Sequence, residues 1–210
     1  MSPRPDVSEM RKNQIIQAAI LVFTRLGFHE ARMDDIVAQT GLSKGTLYWY
    51  YKSKEDLIIA ILDRVFGAEF EKMEILNDID QPAAGCLQNF LEIYIADIQK
   101  AMNLAPIVYE FYALAFRNKT VRLVMQRYLN TFVKLIEPII LRGVKSGEFY
   151  PVDARQAAIA IGSQMEGTLL LWAYAPDIMS LEDQMRVGVN LLINALSVSN
   201  SKDNRGEKYE

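Results

Sequence analysis

The residues best suited to chemistry lie in one short run, Ser43-Lys44-Gly45-Thr46-Leu47-Tyr48-Trp49-Tyr50-Tyr51-Lys52-Ser53-Lys54. Small residues open it, where a backbone can approach a groove closely, and aromatics and lysines follow. Lys44 and Lys54 can meet phosphates, Thr46 offers a hydroxyl and a methyl to base edges, and the hydroxyls of Tyr48 and Tyr50 can donate to phosphate oxygens. Four consecutive aromatics cannot share one side of a helix that turns about 100° per residue, so some of Tyr48 to Tyr51 must be exposed. Residues 1–54 hold eight Lys/Arg against five Asp/Glu, whereas the whole chain carries a net charge of -3. A basic segment on an acidic remainder is the charge pattern of a polyanion-binding module joined to something else.

Other chemistries lack parts. The 210 residues include one His, His29, and one Cys, Cys86. Zinc clusters, paired-His haem ligation and Ser-His-Asp or Cys-His catalysis therefore have no complete set within one chain, no metal site or cofactor is expected, and no catalytic residue is assigned. A carboxylate pair, Glu110 with Glu166, is the remaining enzyme reading, without a supporting nucleophile or phosphate-loop motif. No apolar run reaches the ~20 residues of a membrane span, and no signal peptide is evident, so a cytoplasmic location without membrane partners is expected.

The elements that must position the run are helical. Ile15, Ala18, Ala19, Val22 and Phe23 recur at helical spacing, and Gly27 is expected to stop that helix as an αL cap. A short helix from Asp34 to Thr40 follows, with Asp34 at its N-terminus. Gly41 turns the chain, and Ser43 N-caps a third helix to about Tyr50. Two short helices joined by such a turn form a helix-turn-helix. Further on, Ser53 with Asp56, Asp153 with Gln156 and Ser180 with Asp183 have capping spacing. They predict helices from about 54 toward 75, 154 to 174 and 181 to 197. Others are predicted from Ala83 to Met102 and from Thr120 to Lys145 with a kink at Pro138, and between these two an aromatic-rich segment follows Pro106 to Phe116. The fold class is all-α: a helix-turn-helix domain over 1–54, a larger helical domain over 55–199, and a disordered tail at 200–210.

These motifs resemble the tetracycline-repressor (TetR) family of bacterial transcription regulators. The resemblance rests on Phe23, Gly27 and Phe28, on Met33-Asp34-Asp35-Ile36-Val37-Ala38, on Gly41 through Tyr48, and on Tyr51 through Leu57. It covers about residues 8 to 60; beyond them it is confined to the long-helix pattern and to Gly147-Glu148-Phe149. The family implies a homodimeric helical repressor whose paired heads bind a palindromic double-stranded operator and whose larger domain binds a small effector. By position it implies DNA contacts at Ser43, Lys44, Gly45, Thr46, Tyr48, Trp49, Tyr50 and Lys54. Where relatives carry Thr or Ser, Ala31-Arg32 stands here, so Arg32 is expected to supply a phosphate contact and Asp34 to help cap. Tyr50 replaces a frequent His, and Tyr51 a frequent Phe.

Phe90, Tyr94, Met102, Tyr109, Phe111, Tyr112, Phe116, Met125, Tyr128, Met165 and Trp172 are candidate walls of an apolar effector site, with Glu110, Arg122 and Glu166 as polar anchors. Each aromatic has ordinary core packing as its alternative. Ala158 and Gly162, one turn apart, and Gly188, Leu191, Leu192 and Ala195 on the last helix suggest a dimer seam, with packing inside one chain as the alternative. A regulator of the same fold with no small effector is the second functional reading.

Overall fold

The structure is a computed structural model that describes residues 7–73 and 81–198. The segment expected to be a disordered tail lies outside them. Among the described residues the secondary structure is helical: α1 Val7–Glu30, α2 Met33–Thr40, α3 Lys44–Tyr50, α4 Lys54–Met73, α5 Ala83–Ala101, α6 Ala105–Ala115, α7 Lys119–Ser146, α8 Ala154–Tyr174 and α9 Leu181–Leu196. One isolated antiparallel bridge joins Phe149 to Ser197. The aromatic-rich segment is helix α6, opened by a proline in its first turn, where a missing N–H costs nothing. Helix α7 continues across Pro138.

Two compact units divide the chain, Met1–Lys72 with Ala96–Thr131, and Met73–Ile95 with Phe132–Glu210. Compactness thus does not break the chain at residue 54. The reason lies in the first unit's core, where Phe23 and Phe28 from α1 and Leu57 and Ile61 from α4 pack in one cluster with Phe111 from α6 and Val121 from α7. Phe23, Phe28 and Phe111 meet edge to face, with centroids 5.5 to 6.3 Å apart.

Gly27 departs from the expected αL cap. Its φ of 74° is paired with a ψ of 159°, a region that glycine alone adopts readily, and it breaks the ladder inside α1. The Phe28 N–H released by that break donates to Glu110 Oε1 at 2.8 Å. Glu110 on α6 therefore holds the end of α1.

In the second unit, the Glu148 carboxylate accepts from the N–H groups of Ala83 and Ala84 at 2.7 and 2.8 Å, satisfying the first turn of α5. Phe149 beside it fills the space over Gly143, where a Cβ would lie 2.3 Å from its ring. These contacts give Gly147-Glu148-Phe149 its structural role. Helix α9 is tied to α5 by a two-pronged pair from Arg186 to Glu92, both at 2.8 Å. The guanidinium holds the Glu92 carboxyl below the usual carboxylate range.

Candidate nucleic-acid interface

Helices α2 and α3 are set by short-range caps and a long-range clamp. Gly41 takes φ 67°, the left-handed conformation that ends α2. Ser43 Oγ then accepts from Thr46 N at 3.1 Å to start α3, as its spacing predicts. The Gln14 side chain of α1 donates to Thr40 O at 2.9 Å, so the end of α2 is held by the supporting helix. Asp35, not Asp34, supplies the α2 cap by accepting from Arg32 N at 2.8 Å. Three residues of separation suit this bond, and Asp34 is drawn away to Lys44 instead.

Helix α3 is anchored by Leu47, which is fully buried, while Tyr48, Tyr50 and Tyr51 are half-buried against the same core. Burial pushes the Tyr51 hydroxyl above its ordinary value, consistent with a core ring. Trp49 is 77% exposed, so the exposed aromatic demanded by helical geometry is this one. Gly45 is also exposed, and a Cβ there would meet only Ser43 Oγ at 3.9 Å. The Thr46 hydroxyl lies 2.8 Å from Ser43 Oγ.

The cations divide into two kinds. Arg32 is exposed at the start of α2. Lys44 pairs with Asp34 at 2.7 Å and lies over the Tyr48 ring; the carboxylate's hydrogen bond and charge raise its pKa. Both partners are well exposed, so this pair is worth little and a phosphate can compete for the lysine. Lys52, which the motif left unassigned, donates to Tyr48 O at 2.5 Å and remains exposed.

Lys54 is the correction. Its ammonium donates to Phe28 O at 2.6 Å, Ala31 O at 2.7 Å and His29 O at 3.2 Å, with the Phe28 ring 4.4 Å away. Three donors meet three carbonyls, so the residue expected at a phosphate caps the end of α1. Nothing local in the sequence signals this, because the partners lie 23 to 26 residues away.

The residues expected to line an effector site fall in both units. Phe111 and Tyr128 belong to the first unit's core, Met102, Tyr109, Tyr112 and Met125 are half-buried there, and Phe116 is 83% exposed. Phe116 follows the last residue of α6 and lies outside the core that Phe111 joins. Glu110 is taken by Phe28 N–H, and Arg122 is exposed. In the second unit Phe90 is buried and stacks on half-buried Tyr94; Met165 is buried, Trp172 half-buried and Glu166 exposed.

A further polar cluster joins α4 to α7. Asp63 on α4 accepts from Arg127 and from the Tyr128 hydroxyl on α7, and burial, then that bond, raises the Tyr128 pKa.

Of the residues expected at a dimer seam, Ala158 is fully buried. A Cβ at Gly162 would meet the Phe132 ring at 2.8 Å, and one at Gly188 would lie 1.8 Å from Gln164 Nε2. These three are small because their own chain packs on them. Leu192 is half-buried, whereas Leu191 and Ala195 are exposed.

A helix-turn-helix carried on a long helical chain defines a class of protein, and comparison with known proteins agrees. Residues 15–61 match the model of bacterial regulatory proteins of the tetR family, and residues 86–171 match a tetracyclin repressor-like C-terminal domain. The chain belongs to the TetR family of transcriptional regulators. It is 28% identical over 156 residues to a Bacillus subtilis HTH-type transcriptional regulator, YfiR, covering 73% of this chain and 76% of that one. It is 29% identical over 162 residues to the Bacillus subtilis fatty acid metabolism regulator protein, covering 76% and 81%. The solved structure of FadR from Bacillus subtilis in complex with stearoyl-CoA superposes with a TM-score of 0.75 at 25% identity, covering 88% of this chain and 98% of that one. No described helix is long and apolar enough to cross a membrane.

Proposed function

We propose that the chain is a dimeric repressor that binds a palindromic operator through α3 and is released by a small, largely apolar effector. The observation that carries the DNA reading is the disposition of α3. Leu47 roots it in the core while Gly45 and Trp49 are exposed on the open side, with half-buried Thr46 beside them. Arg32, Lys44 and Lys52 surround that face with positive charge, suited to fixing register on phosphates.

The dimer reading rests on α8 and α9, where Leu170, Leu171, Tyr174, Val187 and Leu191 are exposed apolar residues. A stripe of this kind asks for a partner, and a second copy would pair two heads with half-sites about one DNA turn apart. Leu191, 65% exposed, can be changed without disturbing the chain's own core. Leu191→Glu is expected to give a folded monomer by light scattering and to weaken operator binding about 100-fold or more, through loss of the linked second head. A Leu191→Glu protein that remains a tight dimer overturns this seam.

For the effector, a long-chain acyl thioester is the class to test first, supported by the similarity to an acyl-CoA-bound regulator. The engagement of Glu110 with Phe28 occupies one of the two carboxylates expected to anchor a cationic ligand. Helix α4 supplies the coupling: Lys54 holds its start to the end of α1, and Asp63 joins it to α7. An effector that favours a displaced α4 by ~1 to 3 kcal/mol lowers operator affinity, and operator must lower effector affinity by the same factor. Titrating stearoyl-CoA with and without operator, selected from random duplexes, tests this at several salt concentrations. The expected result is an equal mutual weakening of about 5- to 150-fold. Binding of stearoyl-CoA unaffected by operator defeats the release mechanism, and no binding leaves the effector-independent regulator as the better account.

A further inference from the structure

We infer that α3 reads its operator chiefly through the C5-methyl groups of thymines, with Thr46 and Trp49 as the specificity-determining residues. This rests on the DNA-binding reading above and specifies the chemistry that such binding recognises.

The side chains usually able to read purines by paired hydrogen bonds are Arg, Asn and Gln, and α3 contains none of them. Its single cation, Lys44, shares a weak exposed pair with Asp34 at 2.7 Å and is assigned above to a phosphate. Tyr48 and Tyr50 are half-buried against the core, which suits their hydroxyls to phosphates at the edge of a groove. What remains is exposed Gly45 and Trp49 with half-buried Thr46, Trp49 lying four residues from Gly45 and three from Thr46 and therefore on their side of the helix.

That face is mostly apolar. The Thr46 hydroxyl is held toward Ser43 Oγ at 2.8 Å, and its γ-methyl is the apolar group that the side chain offers to a base edge. Trp49 keeps 77% of its surface in water, an unfavourable place for an indole unless something covers it. Over Gly45 the nearest protein atom to a Cβ would be 3.9 Å away, which leaves room for a base edge to come close to the backbone. In the major groove the apolar group that a base pair offers is the thymine methyl. An outer face made of a methyl, an indole and a bare Cα matches that group and does not match the acceptor pair of guanine.

The test uses the full-length protein and a duplex enriched from a random pool. Each thymine is replaced singly by uracil, which keeps every hydrogen-bonding group and removes the methyl. At two or more positions per half-site the replacement is expected to weaken binding about fourfold, the value of one buried carbon group. Replacing guanine or adenine by the 7-deaza base, which lacks the N7 acceptor, is expected to change affinity by less than about twofold. In Thr46→Ser, which preserves the cap to Ser43, and in Trp49→Ala, each checked for folding by thermal melting, the uracil penalty should vanish at the positions that residue contacts.

Uracil tolerated everywhere, with losses at 7-deaza purines, overturns methyl readout while leaving DNA binding intact. A uracil penalty unchanged in both variants overturns the assignment to Thr46 and Trp49. Failure to enrich any duplex removes the DNA-binding reading itself and this inference with it.

Discussion

Lys54→Met is expected to lower the unfolding free energy by about 2 to 3 kcal/mol and to leave the salt dependence of operator binding unchanged. Methionine keeps most of the side chain's length and apolar stem, so the change isolates the ammonium. Removing it strips three carbonyls of a charged donor, those of Phe28, His29 and Ala31, two of them partly buried. It also removes the cation above the Phe28 ring. Those carbonyls close the segment where Gly27 has already broken the α1 ladder, so few intrahelical bonds compensate. Denaturant unfolding measures the loss, and binding at several salt concentrations separates the two roles of a lysine. A side chain that neutralises a phosphate contributes about 0.9 to the slope of log affinity against log salt, whereas a cap contributes none. A variant of full stability with a slope lower by about one unit would show that Lys54 leaves the carbonyls for DNA.

Phe111→Ala is expected to cost more, about 3 to 5 kcal/mol. Phe111 is fully buried and presents its ring to the edges of Phe23 and Phe28, so truncation opens a cavity at the junction of α1 and α6. The neighbouring hydrogen bond from Phe28 N–H to Glu110 limits how far that junction can collapse to fill it. Thermal unfolding monitored by circular dichroism gives the size of the effect. A loss under about 1 kcal/mol, accompanied by altered affinity for stearoyl-CoA, would return Phe111 to an effector site and remove it from the core.

Helix ends and the recognition element were legible in the sequence wherever the deciding bond closes within a few residues. Ser43 with Thr46, Ser53 with Asp56, Asp153 with Gln156 and Ser180 with Asp183 each form the cap that their spacing implies. The exposed aromatic on α3 followed from helical rotation alone, since a buried Leu47 forces Trp49 outward. The positive φ of Gly27 was likewise implied by its type. Its ψ was not, because that depends on Glu110, 82 residues from the Phe28 N–H it accepts.

Only the tertiary structure decided which of several equivalent residues does which task. Phe111 and Phe116 read alike on an aromatic segment, yet one is core and the other, at the end of α6, is 83% exposed. Lys44 and Lys54 read alike as phosphate ligands, yet one sits in an exposed ion pair and the other closes a helix end. Ala158, Gly162 and Gly188 read as a seam for a second copy, yet each lies against atoms of its own chain. Local spacing specifies bonds whose two ends share a few residues of chain. Burial and long-range pairing are properties of what the fold brings alongside, and residue type and spacing carry no term for a partner 23 to 82 residues away.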